Sequence, residues 1–137
     1  MEQNKLKIKV YSFSYKKGGI PKDDTDNGGG FVFDCRGILN PGRQEEYKSK
    51  TGAEHEVQLY LEEKTQMPQF LDLAQKIISI NIEDYLARGF ESLQVSFGCT
   101  GGQHRSVYAA IKTADFIREK YPQAEVCLRH NEQPHLN

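Results

Sequence analysis

Residues 91–130 read "ESLQVSFGCTGGQHRSVYAAIKTADFIREKYPQAEVCLRH". "ESLQVSF" is a short apolar run with β-branched and aromatic residues, the pattern of a buried strand. Glycines follow, and then "SVYAAIKTADFIREKY" changes period. Val107, Ala110, Ile111, Ala114 and Ile117 fall on one helical stripe. Pro122 ends that helix, and "AEVCLRH" reads as a further strand. Strand, loop, helix and strand over residues 92–129 make a βαβ unit, with parallel strands and a right-handed crossover. In open α/β sheets ligands sit at the carboxyl ends of strands, and residues 98–105 occupy that place.

The flanking sequence extends the same architecture. In "LKIKVYSFSY", Leu6, Ile8 and Val10 alternate with Lys5, Lys7 and Lys9, as in a half-buried strand. The glycine- and aspartate-rich "KKGGIPKDDTDNGGG" is a loop, "FVFDC" a short strand, and "RGILNPGR" a turn. From Arg43 to about Arg88 the chain reads mostly helical, broken at Thr51-Gly52 and at Met67-Pro68. Pro68 suits the first turn of a helix, where its missing N–H leaves no bond unmade. After it Phe70, Leu73, Ala74, Ile77 and Ile78 are expected on one buried face, and Gly89 as the left-handed C-cap. The expected fold is α/β: a single small domain, residues 1–131, with a mostly parallel sheet and helices packed on it. Residues 132–137, including His135, are expected to form a disordered polar tail.

Composition narrows the classes of function. The chain has 137 residues and a formal net charge of −1, without the basic excess that phosphate contacts give nucleic-acid binders. Cys35, Cys99 and Cys127 form no CxxC pair, which removes zinc ribbons and thioredoxin motifs. Their odd number and wide spacing suit a reducing cytoplasm better than a disulfide framework. No apolar run approaches membrane-spanning length, and "MEQNKLKIKV" lacks the apolar core of a signal peptide. No cofactor motif or metal-ligand set is expected; "DDTD" lacks EF-hand spacing and reads as turn chemistry.

The loop "FGCTGGQHRSV", residues 97–107, holds the chemistry. Gly98, Gly101 and Gly102 let successive N–H groups converge on one concavity. The helix that starts near Arg105 adds its positive end. Thr100, Gln103, His104 and Ser106 offer donors, and Arg105 a planar fork suited to phosphate or carboxylate. The expected ligand is therefore an oxyanion. Cys99 and Arg105 also match the CxxGxxR[ST] spacing of cysteine-dependent phosphatases, with Cys99 as nucleophile and Arg105 plus loop amides holding phosphate. That alternative needs a general acid. Asp23, Asp24, Asp26 and Asp34 are available, and nothing in the sequence selects one.

"GCTGGQHRSVY" resembles the signature of the C-terminal domain of the RapZ (YvcJ-like) RNase adapter family. "SFSYKKGGIPKDD", "FVFDCRGILNPGR", Thr51-Gly52 and "RH" at 129–130 are similar to further segments of it, so the likeness covers about residues 8–131. The resemblance implies one anion pocket built from Asp34, Arg36, Asn40 and Cys99 through Ser106, with Arg129 and His130 as weaker additions. It implies a phosphorylated amino sugar as ligand, a sensor or adapter role, binding of small RNA, and assembly into homo-oligomers or with a partner protein. No GxxxxGK[ST] is present, so nucleotide hydrolysis does not carry over. Glycines in "KKGGIP" stand where the enterobacterial type has a histidine, and "HNEQPHLN" is not basic. Both departures shift the expectation from RNA toward a small phosphorylated or carboxylated molecule.

The remaining side chains have plainer expected roles. Cys35 and Cys127 belong to apolar strands and read as core, and His55 as solvated surface. Lys16 and Lys17 lie on a loop near the pocket and would steer a phosphate. Lys5, Lys7 and Lys9 read as the charged guard of an edge strand.

Overall fold

The alternation of Ile8 and Val10 with lysines builds β1, Lys7–Ser14, with Ile8 and Val10 fully buried. The computed structural model describes residues 5–137. Residues 1–4, part of the expected 1–131 domain and of the segment read for a signal peptide, lie outside the described residues. The other strands are β2, Phe31–Asp34, β3, Ser92–Cys99, and β4, Glu125–His130. They pair in the order β2-β3-β1-β4, and every pairing is parallel. β3 and β4 therefore flank β1, and the expected βαβ unit is present with β1 inserted between its two strands.

This order corrects the reading of the lysines. β1 lies inside the sheet, so Lys5, Lys7 and Lys9 guard no edge; the edges are β2 and β4. Local alternation identifies a strand but carries no information on how many neighbours pair with it.

Three helices cover one sheet face: α1, His55–Lys64, α2, Met67–Arg88, and α3, Arg105–Lys120. Pro68 falls in the first turn of α2, and Gly89 caps its end at φ 71°, where a side chain would be strained. The buried stripe of α2 is Leu71, Ala74, Ile78 and Ile82, whereas Leu73 and Ile77 face outward with Ile80. The expected face was thus too wide, because two apolar stripes run side by side on this helix. On α3, Val107, Ala110, Ala114 and Ile117 are buried as expected, and Ile111 is half-buried. The helices meet Ile8, Val10, Leu93, Val95 and Phe97 in one core. Each fully buried Ile, Leu or Phe side chain there stabilises the fold by about 1.5–3 kcal/mol.

The opposite sheet face is crossed by the loop between β1 and β2. Gln94 Nε2 donates to the Pro21 carbonyl at 3.1 Å, Asn27 donates to the Ser92 carbonyl at 3.4 Å, and Lys9 pairs with Asp24. The segment expected as a tail is ordered. Pro134–Leu136 forms a 3-10 turn, and the Asn137 side-chain oxygen accepts the His130 N–H at 2.6 Å. Among the described residues no helix is long and apolar enough to cross a membrane.

Candidate anion-binding site

Every strand ends at the same edge of the sheet, and the loop after β3 crosses that edge to start α3. His104 occupies the N-cap of α3, and no side chain caps the helix. The first-turn N–H groups thus have no side-chain acceptor, and they carry the positive end of the helix dipole. Gly102 sits at φ 67° and turns the loop into α3.

The segment after β2 forms the facing wall. Gln103 Nε2 donates to the Lys48 carbonyl at 2.7 Å and the Lys50 carbonyl at 2.8 Å. His104 Nε2 donates to the Tyr47 carbonyl at 2.8 Å. Burial lowers the His104 pKa, partly offset by that carbonyl, so the ring is neutral and its N–H is engaged. Asn40 Oδ1 accepts the Gly42 N–H at 2.9 Å and begins a 3-10 turn, Pro41–Arg43. A second turn, Glu45–Tyr47, carries the chain past the cavity. Residues expected to be helical from Arg43 are therefore these turns, and regular helix begins only at His55.

Between the walls lies a cavity of about 300 Å³. Of the residues expected at the site, Asn40, Cys99, Thr100, Gly101, Gln103, His104 and Arg105 line it. Gly42 and Lys48 line it as well and carried no local signal in the sequence. Gly102, Ser106 and Arg36 are not among the lining residues. Ser106 is buried behind the loop, its Oγ 3.1 Å from Cys99 Sγ.

Arg105 is 5% exposed. One terminal nitrogen donates to the Ile38 carbonyl at 2.8 Å and the Arg36 carbonyl at 3.1 Å, which fixes the guanidinium. Its Nε–H is buried and has no partner among the described residues. Such a donor is destabilising unless something accepts from it.

Arg36, a residue expected at the site, and Asp34, Lys16, Lys17, Arg129 and His130 are not among the lining residues. Arg36 makes a bidentate pair with Asp34, closest at 2.8 Å, and stacks over Tyr15 at 3.8 Å. That pair holds the Asp34 carboxyl below its usual range. Lys16 and Lys17 are exposed on the loop after β1. Arg129 lies beside Lys7 and Lys9 on the sheet face opposite the helices, and His130 is buried with Nδ1 2.6 Å from Ser12 Oγ. Asp24 pairs with Lys9, and Asp23 binds the Thr25 and Gly29 N–H groups. Among the described residues no carboxylate lines the cavity.

A family model for the RapZ C-terminal domain matches residues 6–134. The chain belongs to this family. Among curated relatives, a nucleotide-binding protein of Endomicrobium trichonymphae is 36% identical over 84% of this chain and 38% of its own length. One from Thermosipho melanesiensis is 34% identical over 95% of this chain and 44% of its own length. One from Xylella fastidiosa strain M12 is 37% identical over 94% of this chain and 42% of its own length. This RapZ C-terminal domain thus spans about two fifths of the relatives it matches.

The Thr51-Gly52 pair joins the facing wall to the loop before α3. Gly52 donates to the Gln103 carbonyl at 2.9 Å, and a Cβ there would lie 2.1 Å from the His104 carbonyl oxygen. Both contacts are backbone, so neither can swing aside. Gly52→Ala is expected to destabilise by about 1–3 kcal/mol through overpacking. A urea melt checks it; an unchanged midpoint would show that the wall and α3 separate freely.

Proposed function

We propose that this RapZ C-terminal domain binds a small phosphorylated or carboxylated molecule at the N-terminus of α3 and acts as a sensor or adapter. The observation that carries this is Arg105: a buried guanidinium in the cavity wall, held by two carbonyls, with one buried N–H lacking an acceptor among the described residues. An oxyanion in the cavity supplies a countercharge to this guanidinium. The uncapped helix terminus faces the same ligand class, while the Lys48 ammonium is paired with Glu45 at 2.9 Å. A cavity of about 300 Å³ suits a ligand of amino-sugar phosphate size. The relatives' description as nucleotide-binding proteins agrees with a phosphate-bearing ligand. Phosphoryl transfer through Cys99 would further require a general acid, and the lining residues offer no carboxylate.

Thermal melts with sulfate, inorganic phosphate, glucosamine-6-phosphate and unphosphorylated glucosamine test this. The three anions should raise Tm saturably and glucosamine should not. At a ligand concentration 100 times Kd the gain is about 2.7 kcal/mol. A Tm unmoved by all three anions would overturn the proposal.

A further inference from the structure

Cys35 follows β2 directly, and Cys99 is the last residue of β3. Asp34 pairs with Gly98, and the Cys35 N–H donates to the Gly98 carbonyl at 2.7 Å. Extending this register by one residue sets Cys35 opposite Cys99. Side chains alternate along each strand, so both thiols share the face of Phe33 and Phe97, whose rings stack at 5.4 Å. Both cysteines belong to the same buried cluster. Their proximity also appears in the electrostatics: burial pushes the Cys35 thiol well up, and Cys99 pushes it further. Adjacent strands run about 4.8 Å apart, inside the about 4.4–6.8 Å that Cα atoms of a disulfide span. Only Cys99 lines the cavity.

We propose that Cys35 and Cys99 form an oxidisable dithiol beneath the cavity, which a small hydroperoxide converts to a disulfide that weakens anion binding. The sulfur of Cys99, reached through the cavity, attacks the peroxide O–O bond. A sulfenic acid forms, and the peroxide leaves as an alcohol, or as water from hydrogen peroxide. The Cys35 sulfur then attacks the Cys99 sulfur, the S–O bond breaks, and the hydroxide leaves as water with the Cys35 proton. Two thiols are oxidised and one peroxide is reduced. The disulfide pulls Cys99 toward β2, away from Ser106, and alters the cavity floor. The effect on ligand rests on the anion-site proposal; formation of the disulfide does not.

The test uses the C127S protein, which removes the half-buried thiol on the opposite face. Hydrogen peroxide should remove both remaining thiols together, reversibly by dithiothreitol, and non-reducing peptide mapping should link Cys35 to Cys99. In C35A/C127S, with folding checked by circular dichroism, oxidation should stop at a trappable Cys99 sulfenic acid. Oxidation of Cys99 beyond sulfenic acid in C127S while Cys35 stays a free thiol would overturn the dithiol. So would resistance of both thiols to peroxide that oxidises a cysteine peptide. Sulfate melts then compare the two states: the disulfide form should bind roughly tenfold more weakly. Equal affinity in both states would overturn the regulatory step. Absence of any sulfate effect on reduced protein would sink the anion-site proposal while leaving the cross-link standing.

Discussion

Arg105→Ala should abolish the sulfate-induced rise in Tm and also weaken the fold by about 2–5 kcal/mol. Both losses come from one side chain. Its removal leaves the Arg36 and Ile38 carbonyls without their donor beside the cavity, and Asp34 loses a nearby cation that helps lower its pKa. Arg105→Lys separates the two roles. Lysine keeps the charge but lacks the planar fork, so it should retain weak anion binding while failing to bridge both carbonyls. The measurements are urea unfolding with and without sulfate. Arg105→Ala protein that still gains stability from sulfate would show that the anion sits elsewhere.

Acid should destabilise the domain in the window from pH 6.5 to about 4. Burial pushes the His130 pKa down to about 4 from its ordinary value of 6.5. The native state then binds fewer protons than the unfolded chain across this window, so stability is complete above pH 6.5 and falls with acidification. The span corresponds to about 3 kcal/mol. His104, lowered by burial in the same direction, adds to the slope. Asp23, Asp24, Asp34 and Glu56 have depressed pKa values, so their contributions are lost mostly at lower pH. His130→Asn should flatten most of the slope between pH 6.5 and 5 in urea unfolding. An unchanged slope in that variant would place the acid sensitivity elsewhere.

The parts legible in the sequence are those fixed by local chemistry. β1 and α3 followed from their periods, β3 from a continuous apolar run, and the ends of α2 from Pro68 and Gly89. The loop after β3 stood out because glycines, hydroxyls and a cation fall within eight residues. Its partner wall did not. Gln103 reaches the Lys48 and Lys50 carbonyls more than fifty residues away, and nothing in "EEYKSK" signals that contact. Lys48 reads as surface and becomes a lining residue only through this fold. The strand order is long-range in the same sense, so the lysine alternation of β1 suits an edge strand and an interior one alike. Arg36 shows a different difficulty: an arginine two residues after an aspartate suits a ligand or an internal pair, the ligand is the expected role, and here it makes the pair. The C-terminal residues look like a solvated tail, yet Asn137 bonds both the N–H and the carbonyl of His130.

The most direct test of the central claim is a phosphate titration followed by backbone and arginine-side-chain NMR. Saturable shifts should concentrate on the amides of Thr100 through Ser106 and on the Arg105 Nε–H. Absence of shifts there, or shifts confined to the Lys7, Lys9 and Arg129 face of the sheet, would contradict it.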